Sequence, residues 1–516
     1  MILGLALALT CLTAASASVM QLSETGTGQV LLFPYYTARN GNVSLVSLVN
    51  TTVQAKAVRV TVREARGGFV VAQFNLYLSA KDVWTGAVVG DDDGAKLVTN
   101  DRSCSSPNFA YVPNPFAPPA AIPSLPFSAD GYRGDNAGVV TRDRTREGYM
   151  EVIEMATIPN GKPLGVAVTH VAGVAPCTRR RVDETDANYV APDNDLLPPS
   201  GGLMGTLSFV NVGKGMLASA APTVIENFWL TGPNAPAPRV VPANSAAIDL
   251  TSGKNSSVAF AGSRSVAAAN SATTYSVERY TARFATSIDA VSALLMSSSV
   301  YSEYAFTQDN VISTLLMLTM PTKPYYIHSD PLAPALGPFS SAWDKVLAKA
   351  CDNIGVAAYT REEETPSTPD DFGTPPPRPA SLVCSVANPL VSLTNLFYYV
   401  YGLPAADDPT FLGASNTLGF MAIQNGGAAV PRPGKEGGWV EFAWTSALSR
   451  LKALEASVYR RDISGKLVWQ PVTATLIGLP IIGLTLSQAA YQTGSPQQNY
   501  ADAVPLRSQT IVTTVP

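Results

Sequence analysis

The chain has 516 residues, of which 14% are charged and 46% hydrophobic, with a formal net charge of -4. A hydrophobic share of that size excludes disorder as a whole-chain description, and a net acidic chain lacks the basic surface that nucleic-acid phosphates require. The 2 histidines leave little material for imidazole catalysis or metal binding, and a charged share well below the ~25% of ordinary domains predicts an unusually neutral surface.

In chain order, residues 2–12 (ILGLALALTCL) form an apolar stretch that leads into Ala15-Ser16-Ala17, an A-x-A site placing Ser18 first in the mature protein. This reads as a secretory signal peptide over residues 1–17, although no Lys or Arg precedes the apolar core. Thr10 before Cys11 makes a poor lipidation site. No later stretch reaches the roughly 18 apolar residues of a membrane span. The expected address is therefore secreted: extracellular or at the cell surface, with the periplasm as the alternative.

Five short strands follow. Gln29–Thr37, Val43–Asn50, Lys56–Glu64, Val71–Leu78 and Asp82–Val89 are separated by turn signals such as Asn50-Thr51-Thr52. Val58, Val60 and Val62 alternate with Arg59, Thr61 and Arg63, the period of a strand with two distinct faces. Short strands at this spacing predict a β-sandwich. Pro107 to Pro126 holds 7 prolines and predicts a long irregular excursion. A strand resumes over Glu147–Ile158. Residues 183–202 read as a loop, a helix is expected around Asp289 to Glu303, and Pro366 to Pro379 is a second Pro-rich excursion. Strands are expected at Trp439–Trp444, Leu476–Ser487 and Thr510–Val515, the run Ile511–Val515 being suited to add to a neighbour's sheet edge. The fold class is mainly β: immunoglobulin-like sandwich domains with long Pro-rich loop insertions and a few short helices. The expected division is an N-terminal sandwich over 18–200, a middle β-rich domain over 201–345 and a C-terminal one over 346–516.

Cys104, Cys177, Cys351 and Cys384 remain once the signal is removed, an even number that suggests two disulfides in an exported chain. Three pairings exist. Cys104–Cys177 and Cys351–Cys384 are favoured because each staples one Pro-rich region, and each bridge would stabilise by about 4 kcal/mol in the loop-entropy picture.

The residues offer no motif for nucleophilic, zinc or nucleotide chemistry. Ser449-Arg450-Leu451-Lys452 matches S-x-x-K without its companion motifs. His170 reads as a structural residue on a strand face with Val166 and Val168, and His328 as a turn residue. Glu147, Glu151 and Glu154 cluster in REGYMEVIEM: in a strand Glu147 and Glu151 share a face and Glu154 points oppositely. Hydrolysis would need two of the carboxylates to converge, although an ion-paired strand face beside Arg142, Arg144 and Arg146 is the plainer reading. Asp91, Asp92 and Asp93 repel one another unless solvated or neutralised, so calcium is the candidate cofactor, weighed against a solvated turn; Asp193 and Asp195 offer a second oxygen cluster. Arg179-Arg180-Arg181 reads as a solvated face. Tyrosine doublets place Tyr36, Tyr326 and Tyr399 as candidate contact-surface residues, since in a strand one member of each pair faces outward.

Val46–Glu64 (VSLVNTTVQAKAVRVTVRE) combines an apolar strand ending in Asn, a Thr-rich turn and an alternating valine strand. It resembles the B–C strand region of bacterial immunoglobulin-like modules, including CARDB-type adhesion repeats, which implies fold and not activity. Gly26–Asn42, Phe74–Val89, Thr145–Ile158, Thr319–His328 and Gly478–Gln492 are similar to a set of secreted proteobacterial proteins, which implies export. The functional expectation is a non-catalytic structural or adhesive protein of the bacterial cell surface, assembling with itself or other surface proteins into a filament, sheath or layer. A glycan- or peptide-binding module, calcium-dependent in one version, is the alternative, and a carboxylate hydrolase the third.

Overall fold

Alternation in the first half of the chain produces the expected strands almost residue for residue: Val30–Thr37, Asn42–Asn50, Ala55–Glu64, Val70–Leu78, Val83–Gly90 and Glu147–Ile158. The computed structural model describes residues 18–109, 123–135, 141–183, 186, 189–190, 196–267, 273–305, 312–328, 337–346, 348–360, 381–383, 387–390, 437–444, 449–489 and 499–515. The signal segment, Asp193 and Asp195, the Pro366–Pro379 excursion, Cys384 and Tyr399 lie outside the described residues. The chain is mainly β, with largely antiparallel sheets stacked as sandwiches.

The N-terminal sandwich has two layers. The seven-stranded sheet runs Gln21–Leu22, Thr223–Glu226, Val30–Thr37, Glu147–Ile158, Ala55–Glu64, Val70–Leu78 and Cys104–Ser106. The six-stranded sheet runs Met216–Ala220, Leu203–Asn211, Asn42–Asn50, Val83–Gly90, Ala95–Val98 and Ser124–Pro126. Phe74 meets Trp84 across the interlayer at a centroid distance of 5.9 Å, and Tyr35 meets Phe209 at 6.4 Å. Strands 203–226 pair inside both sheets, so the expected boundary at 200/201 falls within the sandwich.

The sheet is buried on both faces. Every residue of Ala55–Glu64 and Glu147–Ile158 is sealed from solvent. One face packs into the sandwich. The second face is covered by distant chain: the Arg59 guanidinium donates to the carbonyls of Val241 and Pro242 at 3.0 and 2.7 Å, and Asn75 donates to Val241 O at 2.8 Å. Farther along, Tyr325 covers Arg63, its ring 5.0 Å from the guanidinium carbon.

The later strands weave the expected middle and C-terminal domains together. Leu467–Ile477, Glu455–Arg461, Thr273–Arg283, Val258–Ala267 and Ile511–Val515 form a ring in which Ile511–Val515 pairs on both sides and closes the sheet on itself. Inward positions carry Val458, Tyr280, Ala282, Ala474, Leu476 and Val512, all buried. A second sandwich pairs Asp352–Thr360, Gly437–Ala443, Ser299–Ala305 and Arg507–Gln509 in one layer, and Ala387–Leu390, Ile312–Thr319, Ile482–Ala489 and Tyr500–Pro505 in the other. Because strands before and after residue 345 share these sheets, the boundary at 345/346 does not separate two units.

Two local expectations change. Residues Pro163–Val168 form a short helix, with Pro163 in its first turn, so His170 follows a helix and not a strand. Lys323–Ile327 is likewise helical, again with a proline, Pro324, in the first turn. The expected helix near 289–303 is Ser287–Leu295, started by a capping box between Thr286 and Asp289 and followed by the strand Ser299–Ala305.

Candidate functional site

The three glutamates weighed for hydrolysis are buried, and each meets its own cation. Glu147 lies 3.1 Å from Arg39, Glu151 2.8 Å from Arg63 and Glu154 2.7 Å from Lys56. Glu151 also accepts from the Tyr325 hydroxyl at 3.0 Å. Burial raises the pKa of Glu147 and Glu151, and the neighbouring Arg39 and Arg63 oppose that rise. Glu151 and Glu154 stand on opposite faces of the sheet, as the period of a strand requires. A bulge between Gly148 and Met150 hands Glu147 to a further set of partners. The three therefore share no open cleft in which two carboxylates could flank a bond.

Ser79, His170 and Asp82 do come together. Ser79 Oγ lies 2.9 Å from His170 Nδ1, and Asp82 Oδ2 lies 3.5 Å from the same nitrogen. A catalytic triad needs the serine on one ring nitrogen and the carboxylate on the other, so that the proton has a path. Here both oxygens crowd one nitrogen. Asp82 also accepts from the Ser79 amide at 3.0 Å and the Ser103 hydroxyl at 3.1 Å, so the group fastens a turn. Ser449 is buried and Lys452 exposed, which separates the S-x-x-K pair.

The Asp91–Asp93 turn is held by a cation of the chain itself. Arg142 forms ion pairs with Asp91, at 2.8 Å, and with Asp93. Burial works upward on the Asp91 carboxyl, but hydrogen bonds from Arg142 and the Gly94 amide hold its pKa below the usual carboxylate range. Among the described residues no three His, Cys, Asp or Glu side chains gather as a metal site.

Cys104 and Cys177 are bridged, with Cα atoms 5.3 Å apart. The bridge ties an edge strand of the seven-stranded sheet to the 159–183 excursion. Cys351 is disulfide-bonded, and its expected partner Cys384 is outside the described residues. Beside the Cys104–Cys177 bridge, a groove of about 380 Å³ is bordered by Pro163, Val166, Pro176, Arg180 and Arg181. Arg179 turns away to Asp183 at 3.2 Å.

Tyr36 and Tyr326 are not contact-surface residues. Tyr36 is fully buried, with its hydroxyl donating to Thr145 O at 3.0 Å, because its strand is covered on both faces. Tyr326 sits on a short helix turned into the core, with its hydroxyl on Asp289 Oδ1 at 2.8 Å. The run Ile511–Val515, open in sequence to a neighbour's sheet, already has partners on both sides.

Exposed aromatics lie elsewhere: Trp439 and Tyr500 singly on the second sandwich, and a facing pair on the closed sheet. In the hairpin formed by Glu455–Arg461 and Leu467–Ile477, Tyr459 stands directly opposite Trp469, and Arg279 of the neighbouring strand continues the rung. Val458, Tyr280 and Ala456 fill the interior, so the alternate residues must face out. Tyr459 is 38% exposed and Trp469 49%, and their rings are 5.1 Å apart. Val277, Leu467 and Ile463 extend this face, Ile463 standing wholly exposed at the hairpin tip. The signal in sequence is SVYRRDISGKLVWQ, in which Tyr459 and Trp469 flank a D-x-S-G turn.

Comparison with protein families, with characterised proteins and with solved structures found no match to this chain. The likeness to CARDB-type modules rests on the segment Val46–Glu64 alone. Among the described residues no helix is long and apolar enough to cross a membrane, which says nothing of a β-barrel.

Proposed function

We infer that this is a secreted, non-catalytic structural or adhesive protein of the bacterial cell surface, whose function is carried by contact surfaces. The observation behind this reading is the aromatic face of the 455–477 hairpin. Large apolar side chains are concentrated there in the open, while the carboxylates with catalytic potential are sealed in ion pairs. Clustered exposed apolar surface marks interaction sites.

Export is supported by the apolar leader and by the bridge between Cys104 and Cys177. Mass spectrometry of the protein recovered from its native cells tests this. A chain starting at Ser18 in the surface or medium fraction is expected; an uncleaved chain in the cytoplasm would refute it. Assembly with copies or other surface proteins would run through exposed faces, since Ile511–Val515 is paired along its length with Leu467–Ile477 and held at Ile511 by Val258–Ala267.

A further inference from the structure

We propose that the tip of the 455–477 hairpin docks on an anionic lipid surface, seating Ile463 and Leu467 among the acyl chains and Tyr459 and Trp469 at the headgroup level. This rests on the reading of the hairpin as a contact surface and names its partner.

The tip is pre-organised. Asp462 Oδ1 accepts from the Ser464 amide at 2.8 Å, the Ser464 hydroxyl at 2.6 Å and the Lys466 amide at 3.0 Å. Gly465 adopts φ +82°, which closes the turn. The one carboxylate at the tip is thus engaged by its own loop, and Ile463 is left pointing into open space with no neighbour to cover it. Holding a large apolar residue this way is unfavourable in water, unless a partner removes it from water.

The side chains are ordered by depth. Ile463 is at the apex. Arg461 and Leu467 form the first rung, and Tyr459 and Trp469 the rung two residues below. At about 3.4 Å per residue the two rungs are separated by roughly 7 Å, which matches a headgroup zone of roughly 5–7 Å. Trp and Tyr favour that zone because their rings are apolar at one end and polar at the other.

The charge is complementary. Arg461, Lys466 and Arg279 border the apolar residues on the outer face, whereas the chain as a whole carries -4. Arg461 donates to Gly465 O at 2.7 Å, a neutral acceptor that leaves its charge available to an anionic partner. Long basic side chains can lay their stems along apolar surface while the heads reach phosphates.

The test is co-sedimentation of the full mature chain with phosphatidylcholine vesicles, with and without phosphatidylglycerol. Binding to the phosphatidylglycerol vesicles is expected, weakened about tenfold between 0.1 and 1 M salt. Ile463→Ser with Trp469→Ser should weaken it about tenfold or more while the protein stays folded by circular dichroism. Arg461→Gln with Lys466→Gln should weaken it without touching an apolar group, and Val212→Ser, an exposed valine elsewhere, should bind as the parent does. Absence of binding to anionic vesicles, or binding indifferent to both double substitutions, would overturn the proposal. So would self-association or polysaccharide binding that the Ile463/Trp469 variant abolishes while vesicle binding persists. If vesicles fail but the native protein is still found on the cell surface, only the lipid assignment falls. A cytoplasmic native protein would instead refute the surface reading, whatever the vesicles show.

Discussion

Lys56 Nζ and Glu154 Oε1 lie 2.7 Å apart at one end of the N-terminal sandwich, with neither side chain reached by solvent. The pair is supported all round. Lys56 also donates to Thr157 and Ser200, and Glu154 accepts the amides of Ser200 and Gly201 at 3.0 and 2.7 Å. Removing one partner strands the other charge in the interior, which costs about 3–5 kcal/mol. Glu154→Gln should therefore destabilise by that amount in urea unfolding, whereas Lys56→Met with Glu154→Leu should lose clearly less. Equal losses would mean that stranded charge is not the cause.

The Cys104–Cys177 bridge closes a loop with a sequence separation of 73. Cross-linking a loop of that size removes about 4 kcal/mol of denatured-state entropy at 25 °C. Cys104→Ala with Cys177→Ala should lower unfolding free energy by about that much, with the 159–183 excursion becoming the first site of proteolysis. Cleavage elsewhere first would argue against the staple.

Arg142 neutralises the Asp91–Asp93 turn, so the parent protein should melt at the same temperature with calcium or with chelator. Arg142→Ala leaves the carboxylates to repel one another. That variant should melt lower and recover part of the loss in millimolar calcium. A parent protein that chelator destabilises would show that the turn needs an ion in addition to Arg142.

Lys254 is buried, and burial pushes its pKa down to about 8 from the ordinary value near 10.5. A depressed value means that the unfolded chain binds this proton more tightly than the folded one. The Lys254 contribution to stability is therefore present at high pH and lost as pH falls through about 8. Between pH ~8 and ~9.5, below the range where tyrosines of the unfolded chain ionise, Lys254→Met should rise less with pH than the parent. Parallel curves would contradict the assignment.

Much of the first sandwich was legible in the sequence. Val58, Val60 and Val62 mark the strand period and its inner face, and the structure puts these residues in the interlayer. The burial of Arg59 and Arg63 was not legible, because what covers them comes from Val241, Pro242 and Tyr325, some 180 to 260 positions along the chain. The same long-range cover explains Tyr36: a doublet in an alternating strand says one ring faces each side, but not whether the outer side meets water. For Tyr326 the period itself changed, since Pro324 sits at a helix start. Ile511–Val515 read as a free strand because its partners, Val258–Ala267 and Leu467–Ile477, are brought to it only by barrel closure. The contact face was written in Tyr459 and Trp469, but recognising it requires knowing which parity the barrel interior claims.

The most direct test of the central claim is immunogold imaging of native cells carrying either the parent protein or the variant with Tyr459→Ser and Trp469→Ser. Both side chains stand on an exposed face, so the variant should still fold, destabilised only by the loss of the Tyr459–Trp469 cross-strand pair, about 1 kcal/mol. Parent protein distributed over the cell surface, with the variant released to the medium, is the predicted result. A parent protein confined to the cytoplasm, or a folded variant that decorates the surface as densely as the parent, would contradict it.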